Sequence, residues 1–267
     1  MSIKLTWRTA LSVHWPEYLI EAWALGMFMV SASLFTLWFE DPASALNHAV
    51  SNGDVRRGLI GLAMGITAVL LIYSPWGRRS GAHMNPAVTV AFLSLGRIEA
   101  WNALFYIIAQ ISGGTLGVLI VWSVYGDAFA APPVAFIATV PGRAGTGVAF
   151  AAEAGMSLIM MLSILIVSKH VRFSRYTGVM AGALVAAFIT FEAPLSGMSI
   201  NPARTLASAL PGGMWDAIWI YLTAPMLGMW TATRLYSFVT VKAGPASLCG
   251  HTPNASNISH IHCECSS

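Results

Sequence analysis

The stretch SGAHMNPAVT occupies residues 80–89, and a second stretch, SGMSINPART, occupies residues 196–205. Each contains the triplet Asn-Pro-Ala behind a Ser-Gly pair, and the two asparagines are Asn85 and Asn201. Asparagine is a favoured N-cap, and proline suits the first helical position because its missing N–H would have no partner there. Each Asn-Pro pair therefore predicts the start of a helix.

The composition indicates an integral membrane protein. Of the 267 residues, 56% are hydrophobic and only 9% are charged, and the mean hydropathy is +0.67. A soluble domain carries about 25% charged residues, so this chain has too few charges to solvate a globular surface. The basic residues are scattered over loops, which argues against nucleic-acid binding.

Six apolar runs are long enough to cross a hydrocarbon core, which takes roughly 20 residues in a helix. The first run lacks a small-x-small cleavage site and is too long for a signal-peptide core, so it is retained as a helix. The predicted spans are Tyr18–Trp38, Gly58–Ser74, Trp101–Tyr125, Val148–Ser168, Thr177–Ala193 and Trp215–Val239.

Basic residues predict the orientation. With both termini on one side, ten of the 14 Lys and Arg residues fall on that side, three on the other, and Arg204 on neither. This asymmetry predicts cytoplasmic termini in a plasma (inner) membrane.

Residues 1–240 are expected to form one domain and residues 241–267 a disordered cytoplasmic tail. The three cysteines lie in that tail, on the reducing side, so no disulfide is predicted.

The spans contain a hidden repeat. Gly61 and Gly65 in the second span match Gly178 and Gly182 in the fifth, and the first and fourth spans each carry one acid. The half-repeats, about 17–125 and 148–240, each hold three spans and one short segment, so they enter the membrane in opposite orientations. Glycines at this spacing predict close helix packing.

The short segments predict half-helices. Pro86–Leu95 and Pro202–Pro211 would each be about 15 Å long, half the thickness of the hydrocarbon core. Both would begin at mid-membrane. The predicted fold is an all-α membrane protein with six transmembrane helices and two re-entrant half-helices in an inverted repeat.

The two Asn-Pro-Ala segments, the six spans and the paired acids resemble the aquaporin or major intrinsic protein family, from about residue 17 to residue 240. Two such motifs in inverted halves, with Arg204 three residues after the second asparagine, make the resemblance specific. It implies a passive channel for water and small neutral solutes, one pore per subunit of a homotetramer, no cofactor, no metal and no enzymatic activity.

The resemblance also implies functional residues. The segments before each half-helix are expected to be extended, with carbonyl oxygens directed along a pore, and the asparagine amides to donate to one water molecule. The motif residues are Asn85, Pro86, Ala87, Asn201, Pro202 and Ala203, and the carbonyl ladder comprises Gly81, Ala82, His83, Gly197 and Ser199.

The constriction implied by the family falls on Met64, Ile189, Met198 and Arg204. Water-selective members carry Phe, His and a small residue at the first three positions, so strict water selectivity is not implied. In a register shifted by one, Met64 and Ile189 would instead be packing residues. Thr205, where glycerol channels carry Asp, and Trp219 favour water; glycerol or ammonia conduction is the alternative.

Glu21 and Glu153 are interpreted as structural acids that accept hydrogen bonds from the loops feeding the half-helices, since buried carboxylates need such partners. As proton-coupling acids they would instead indicate a secondary transporter.

A membrane hydrolase using Ser80, Ser196 or Ser199 with His83 is a weaker alternative, because no G-x-S-x-G is present. A purely structural junction protein is a further alternative to the channel. The tail sequence HIHCEC, residues 260–265, fits no standard zinc spacing.

Overall fold

The structure, a computed structural model, describes residues 6–242. The predictions for the tail cysteines and for the HIHCEC segment lie outside the described residues. Within that range the α-helices are α1 Trp7–Glu40, α2 Ala45–Ala49, α3 Gly53–Tyr73, α4 Pro75–Ser80, α5 Pro86–Ser94, α6 Ala100–Tyr125, α7 Asp127–Ala130, α8 Thr146–Lys169, α9 Thr177–Phe191, α10 Ala193–Ser196, α11 Pro202–Gly212 and α12 Ile218–Lys242.

The long helices agree with the predicted spans. In the described part of the chain, α1, α3, α6, α8 and residues Ser174–Phe191 are long and apolar enough to cross a membrane. The helix α12, at 25 residues, coincides with the sixth predicted span. The first helix begins at Trp7, 11 residues earlier than hydropathy predicts, because the Thr6 side chain caps it by accepting the Thr9 N–H. Its first turns are too polar to register as a span.

The packing follows the inverted repeat. In each half the first and third long helices pack together, α1 on α6 and α8 on α12, while α3 packs on α9 across the two halves. Each half-helix packs against the last long helix of the opposite half, α5 on α12 and α11 on α6. The two halves are therefore interlocked through α3, α9 and both half-helices.

The paired glycines lie where the two halves cross. A Cβ atom on Gly65 would lie 2.6 Å from the Gly182 carbonyl oxygen, and one on Gly182 would lie 2.6 Å from the Gly65 carbonyl oxygen. No side chain fits at either position, so α3 and α9 are in direct backbone contact. The packing role predicted for both G-x-x-x-G pairs is confirmed.

Candidate pore

The two half-helices begin at the predicted residues. Asn85 is the N-cap of α5, and its side-chain oxygen accepts the Ala87 N–H. Asn201 is the N-cap of α11, and its side-chain oxygen accepts the N–H groups of Ala203 and Arg204. In both helices proline occupies the first turn. The helices end at Ser94 and Gly212, each within one residue of the prediction.

The caps are joined across the two halves. The Asn85 Nδ2 group donates to the Ile200 carbonyl oxygen at 2.7 Å, and the Asn201 Nδ2 group donates to the Met84 carbonyl oxygen at 2.7 Å. Each amide has two N–H groups, so each retains one donor beyond this cross-connection. The N-termini of α5 and α11 therefore meet at one point.

The segments that lead into the half-helices are non-helical, but the prediction of a simply extended backbone is wrong. Ala82 and Met84 have φ angles of 46° and 49°, and Met198 and Ile200 have 47° and 49°. In an extended strand, consecutive N–H groups point to opposite sides. Here they point to one buried carboxylate, and the alternating left-handed residues make this possible. This strain is offset by the hydrogen bonds that the carboxylate accepts.

Glu21 is the carboxylate in the first half. It is fully buried and accepts the N–H groups of His83 and Met84 at 3.0 and 2.7 Å. It also accepts the Ser80 hydroxyl and the Gln110 amide, each at 2.8 Å. The hydrogen bonds predicted from the first re-entrant loop to this acid are present.

Glu153 occupies the same place in the second half and is also fully buried. It accepts the N–H groups of Ser199 and Ile200 at 2.7 and 2.6 Å, and the Ser196 hydroxyl at 2.7 Å. Both acids therefore fix the non-helical backbone immediately before an asparagine cap. The serine hydroxyl and the backbone N–H groups that each acid accepts belong to its own re-entrant segment, as expected of a structural acid.

Sequence reasoning did not predict the hydrogen bonds of two pairs of equivalent side chains. The Tyr106 hydroxyl donates to the Ser80 carbonyl oxygen, and the Tyr221 hydroxyl to that of Ser196. Thr89 and Thr205, each four residues after a cap, bond to His83 Nδ1 at 3.1 Å and to Ser199 Oγ at 2.6 Å. Their nearly equal spacing from Asn85 and Asn201 is the signal that could have identified them.

One cavity of about 3110 Å³ runs past both caps. Residues that the charge asymmetry assigns to the cytoplasmic side, Arg78 and Lys169, line one end, and Asp54 and Arg57 line the other. The sequence-predicted residues along it are Met64, Gly81, Ala82, His83, Asn85, Ile189, Gly197, Met198, Ser199, Asn201 and Arg204. Pro86, Ala87, Pro202 and Ala203 are buried and are not among the lining residues.

The four residues predicted for the constriction all line this cavity. Met64 is only 1% exposed and also packs in the core cluster that contains Leu25 and Met29, as the alternative of a packing residue predicts. The Nη1 atom of Arg204 is buried and has no hydrogen-bond partner among the described residues. A buried donor left without a partner costs about 1–3 kcal/mol, so this group is available to a molecule in the cavity.

Histidine and acidic residues do not gather into a metal site in residues 6–242, where no group of three His, Cys, Asp or Glu side chains could hold an ion. His83 bonds Thr89 through Nδ1, and its ring lies 4.9 Å from Phe92 and 5.2 Å from Tyr106 between centroids. Its ring is therefore held by one hydrogen bond and by two aromatic neighbours.

Comparison with known proteins agrees with this geometry. The chain is 34% identical over 209 residues to aquaporin NIP1-1 of Arabidopsis thaliana, covering 77% of this chain and 70% of that protein. It is 31% identical over 202 residues to the probable aquaporin NIP7-1 of the same plant, covering 73% and 71%. The crystal structure of the aquaglyceroporin from Plasmodium falciparum shares the fold, with a TM-score of 0.72 at 20% identity over 86% of this chain and 98% of that one. The sequence profile of the major intrinsic proteins matches residues 10–236, and the chain belongs to that family.

Proposed function

We propose that this protein is a passive transmembrane channel for water and other small neutral solutes, and that it excludes protons and ions. The observation that carries the proposal is the meeting of two capped half-helices beside one continuous cavity, with Asn85 and Asn201 on its wall. The similar proteins from Arabidopsis are named aquaporins. The proposal involves no catalysis.

Proton exclusion would arise at the two caps. Each amide donates one N–H to the opposite half, and its second N–H is left to donate to a passing water molecule. A water oxygen that accepts from both Asn85 and Asn201 cannot accept from its neighbours, so the chain of hydrogen bonds is interrupted there. The helix N-termini add about +0.5 elementary charge each, which repels cations, as in aquaporin-type pores.

Solute passage would depend on the constriction formed by Met64, Ile189, Met198 and Arg204. Arg204 supplies the free Nη1 donor, while the other three present thioether and alkyl groups to the cavity. Because no aromatic ring or histidine occupies these positions, glycerol and ammonia are candidate solutes beside water. The carbonyl groups of Gly81, Ala82, His83, Gly197 and Ser199 would supply acceptors along the path.

We further propose that the protein lies in a plasma membrane with both termini in the cytoplasm. It would assemble as a homotetramer with one pore per subunit. The excess of Lys and Arg on the side of the termini supports this orientation. Exposed tryptophans such as Trp7, Trp15 and Trp76 (47%, 54% and 54% exposed) are suited to the interface between lipid and water. Protease accessibility of the termini in sealed vesicles tests the orientation, and the mass of the purified particle tests the assembly.

Stopped-flow light scattering on proteoliposomes tests the proposed function. Shrinkage rates after an osmotic step with an impermeant solute are compared with empty vesicles, and glycerol and ammonia uptake are measured in the same preparation. A channel predicts fast water flux that does not saturate and has a low activation energy. Flux that saturates and requires an ion gradient would identify a secondary transporter instead.

A further inference from the structure

Ser31 on α1 makes an unusual pair of contacts. Its Oγ atom lies 3.7 Å from the Met64 Sδ atom and 2.8 Å from the Thr67 Oγ1 atom, both on α3. Serine in an apolar helix commonly bonds to a backbone carbonyl one turn earlier, as Ser123 does with the Ile120 carbonyl here. Ser31 instead reaches across to the neighbouring helix.

The two hydroxyl protons allow two arrangements of this contact. Ser31 and Thr67 each have one hydroxyl proton to donate. The acceptors within reach are the two hydroxyl oxygens, the Met64 sulfur and the Ala63 carbonyl oxygen, which lies 2.9 Å from Thr67 Oγ1. When Thr67 donates to Ser31, the Ser31 proton is directed to the Met64 thioether. When Thr67 donates to Ala63, the Ser31 proton goes either to Thr67 Oγ1, at 2.8 Å, or to the Met64 sulfur, at 3.7 Å.

The sulfur matters because of where Met64 lies. A methionine side chain is unbranched and has three rotatable bonds, so its terminal methyl group is easily displaced. Met64 lines the cavity at the position assigned to the constriction. A hydrogen bond to Sδ restricts the last torsions and therefore the place of the methyl group in the opening.

We propose that Ser31 is a positioning residue for the constriction: its hydroxyl holds the Met64 thioether and thereby limits which solutes pass. The inference rests on the proposed channel function and adds a specificity determinant on a helix that contributes no residue to the predicted constriction. It follows from the two contacts of Ser31 and from the place of Met64 on the cavity wall.

The substitution Ser31→Ala tests this in proteoliposomes. We expect the ratio of glycerol to water permeability to rise about two- to fivefold, the size of one weak hydrogen bond. Ser33→Ala is the matched control, because the Ser33 hydroxyl lies on the same helix, is fully buried and has no hydrogen-bond partner among residues 6–242. It should leave the ratio unchanged.

A double-mutant cycle separates positioning from a general packing effect. Met64→Leu keeps the volume but removes the sulfur, so Ser31→Ala should have no further effect on the permeability ratio in that background. Thr67→Val leaves Met64 as the acceptor for the Ser31 proton and should therefore not mimic Ser31→Ala. Additive effects of Ser31→Ala and Met64→Leu, or equal effects of Ser31→Ala and Thr67→Val, would overturn the inference.

NMR tests the same variants without relying on conduction. The signals of ¹³C-methyl methionine are recorded for the full-length protein in nanodiscs. Met64→Leu assigns the Met64 resonance, and Ser31→Ala should shift it and lower its methyl order parameter, while Ser33→Ala should not. An unchanged Met64 signal in Ser31→Ala would contradict the inference. If the native protein conducts no solute, the proposed function fails, and this signal still decides whether Ser31 positions Met64.

Discussion

Asn85 and Asn201 each donate a side-chain N–H to the backbone carbonyl of the residue that precedes the other, and both distances are 2.7 Å. Each asparagine also accepts from the first turn of its own half-helix. The two caps therefore hold their own helices and each other. This reciprocity makes the meeting point of the half-helices a fixed structure rather than a contact of two loose loop ends.

Replacing Asn85 with Ala should destabilise the fold. The change removes a helix cap, worth about 1 kcal/mol, and leaves the Ile200 carbonyl without its donor, worth about 1–3 kcal/mol more. Thermal unfolding in detergent measures the loss. Asn47→Ala is the control, because the Asn47 amide, in the short helix α2, donates to the Phe39 carbonyl at 2.8 Å away from the caps. An equal loss in both variants would argue against a special role of the cross-connection.

Replacing Glu153 with Gln should disturb the second re-entrant segment. The carboxylate accepts two backbone N–H groups and one hydroxyl, whereas an amide presents one acceptor oxygen and would place an NH₂ group against a donor. We expect a loss of about 1–3 kcal/mol for each unmade bond, together with reduced water flux. The exposed Glu99, which forms no capping hydrogen bond, provides the control variant Glu99→Gln. Unchanged stability and flux in Glu153→Gln would refute the anchoring role.

Glu192 lies just beyond the end of α9. Both of its carboxylate oxygens are buried and have no hydrogen-bond donor among the described residues, since the nearby Ser196 hydroxyl is donated to Glu153. Burial raises the pKa of Glu192 from 4.5 to about 7; the nearby Ser196 hydroxyl acts against this shift, and the charge of Glu153 acts with it.

The raised pKa of Glu192 predicts a pH dependence of stability. Between about pH 4.5 and 7 the folded protein binds this proton and the unfolded chain does not, so the free energy of unfolding should fall as pH rises through that window. Above it the contribution is constant. Glu192→Gln should remove this slope in a series of unfolding curves. A variant with the same pH profile as the native protein would show that Glu192 does not titrate in this range.

Replacing Arg204 with Val should loosen solute exclusion. The change removes the charge and the free donor from the predicted constriction, and each 1.4 kcal/mol of lost barrier corresponds to about a tenfold gain in flux. We expect glycerol flux to rise about tenfold or more while water flux persists. Arg143→Val, at an exposed loop position outside the cavity lining, should change neither. Unaltered exclusion in Arg204→Val would show that Arg204 does not limit passage.

Local signals predicted much of this fold. The Asn-Pro pairs set the starts of α5 and α11 because cap and first-turn preferences act within a few residues. The buried acids Glu21 and Glu153 were predicted with their partners because an ionised side chain inside a membrane span requires donors. Hydropathy located the spans, although it missed the polar first turns of α1.

Contacts between distant segments could not be predicted in the same way. The cross-donation between Asn85 and Asn201, and the contact of Ser31 with Met64, depend on how the two halves and α1 with α3 come together in space. The left-handed residues Ala82 and Met198 follow from the demand of one carboxylate for consecutive N–H groups. Neither residue type favours that backbone conformation, so composition gave no hint of it.

The most direct test of the central claim is to measure osmotic water flux and proton flux in the same proteoliposomes, with a pH-sensitive dye trapped inside. The account predicts rapid water movement with proton permeability no higher than in empty vesicles, because Asn85 and Asn201 break the water chain where the half-helices meet. Proton flux that rises together with water flux in the native protein would contradict it.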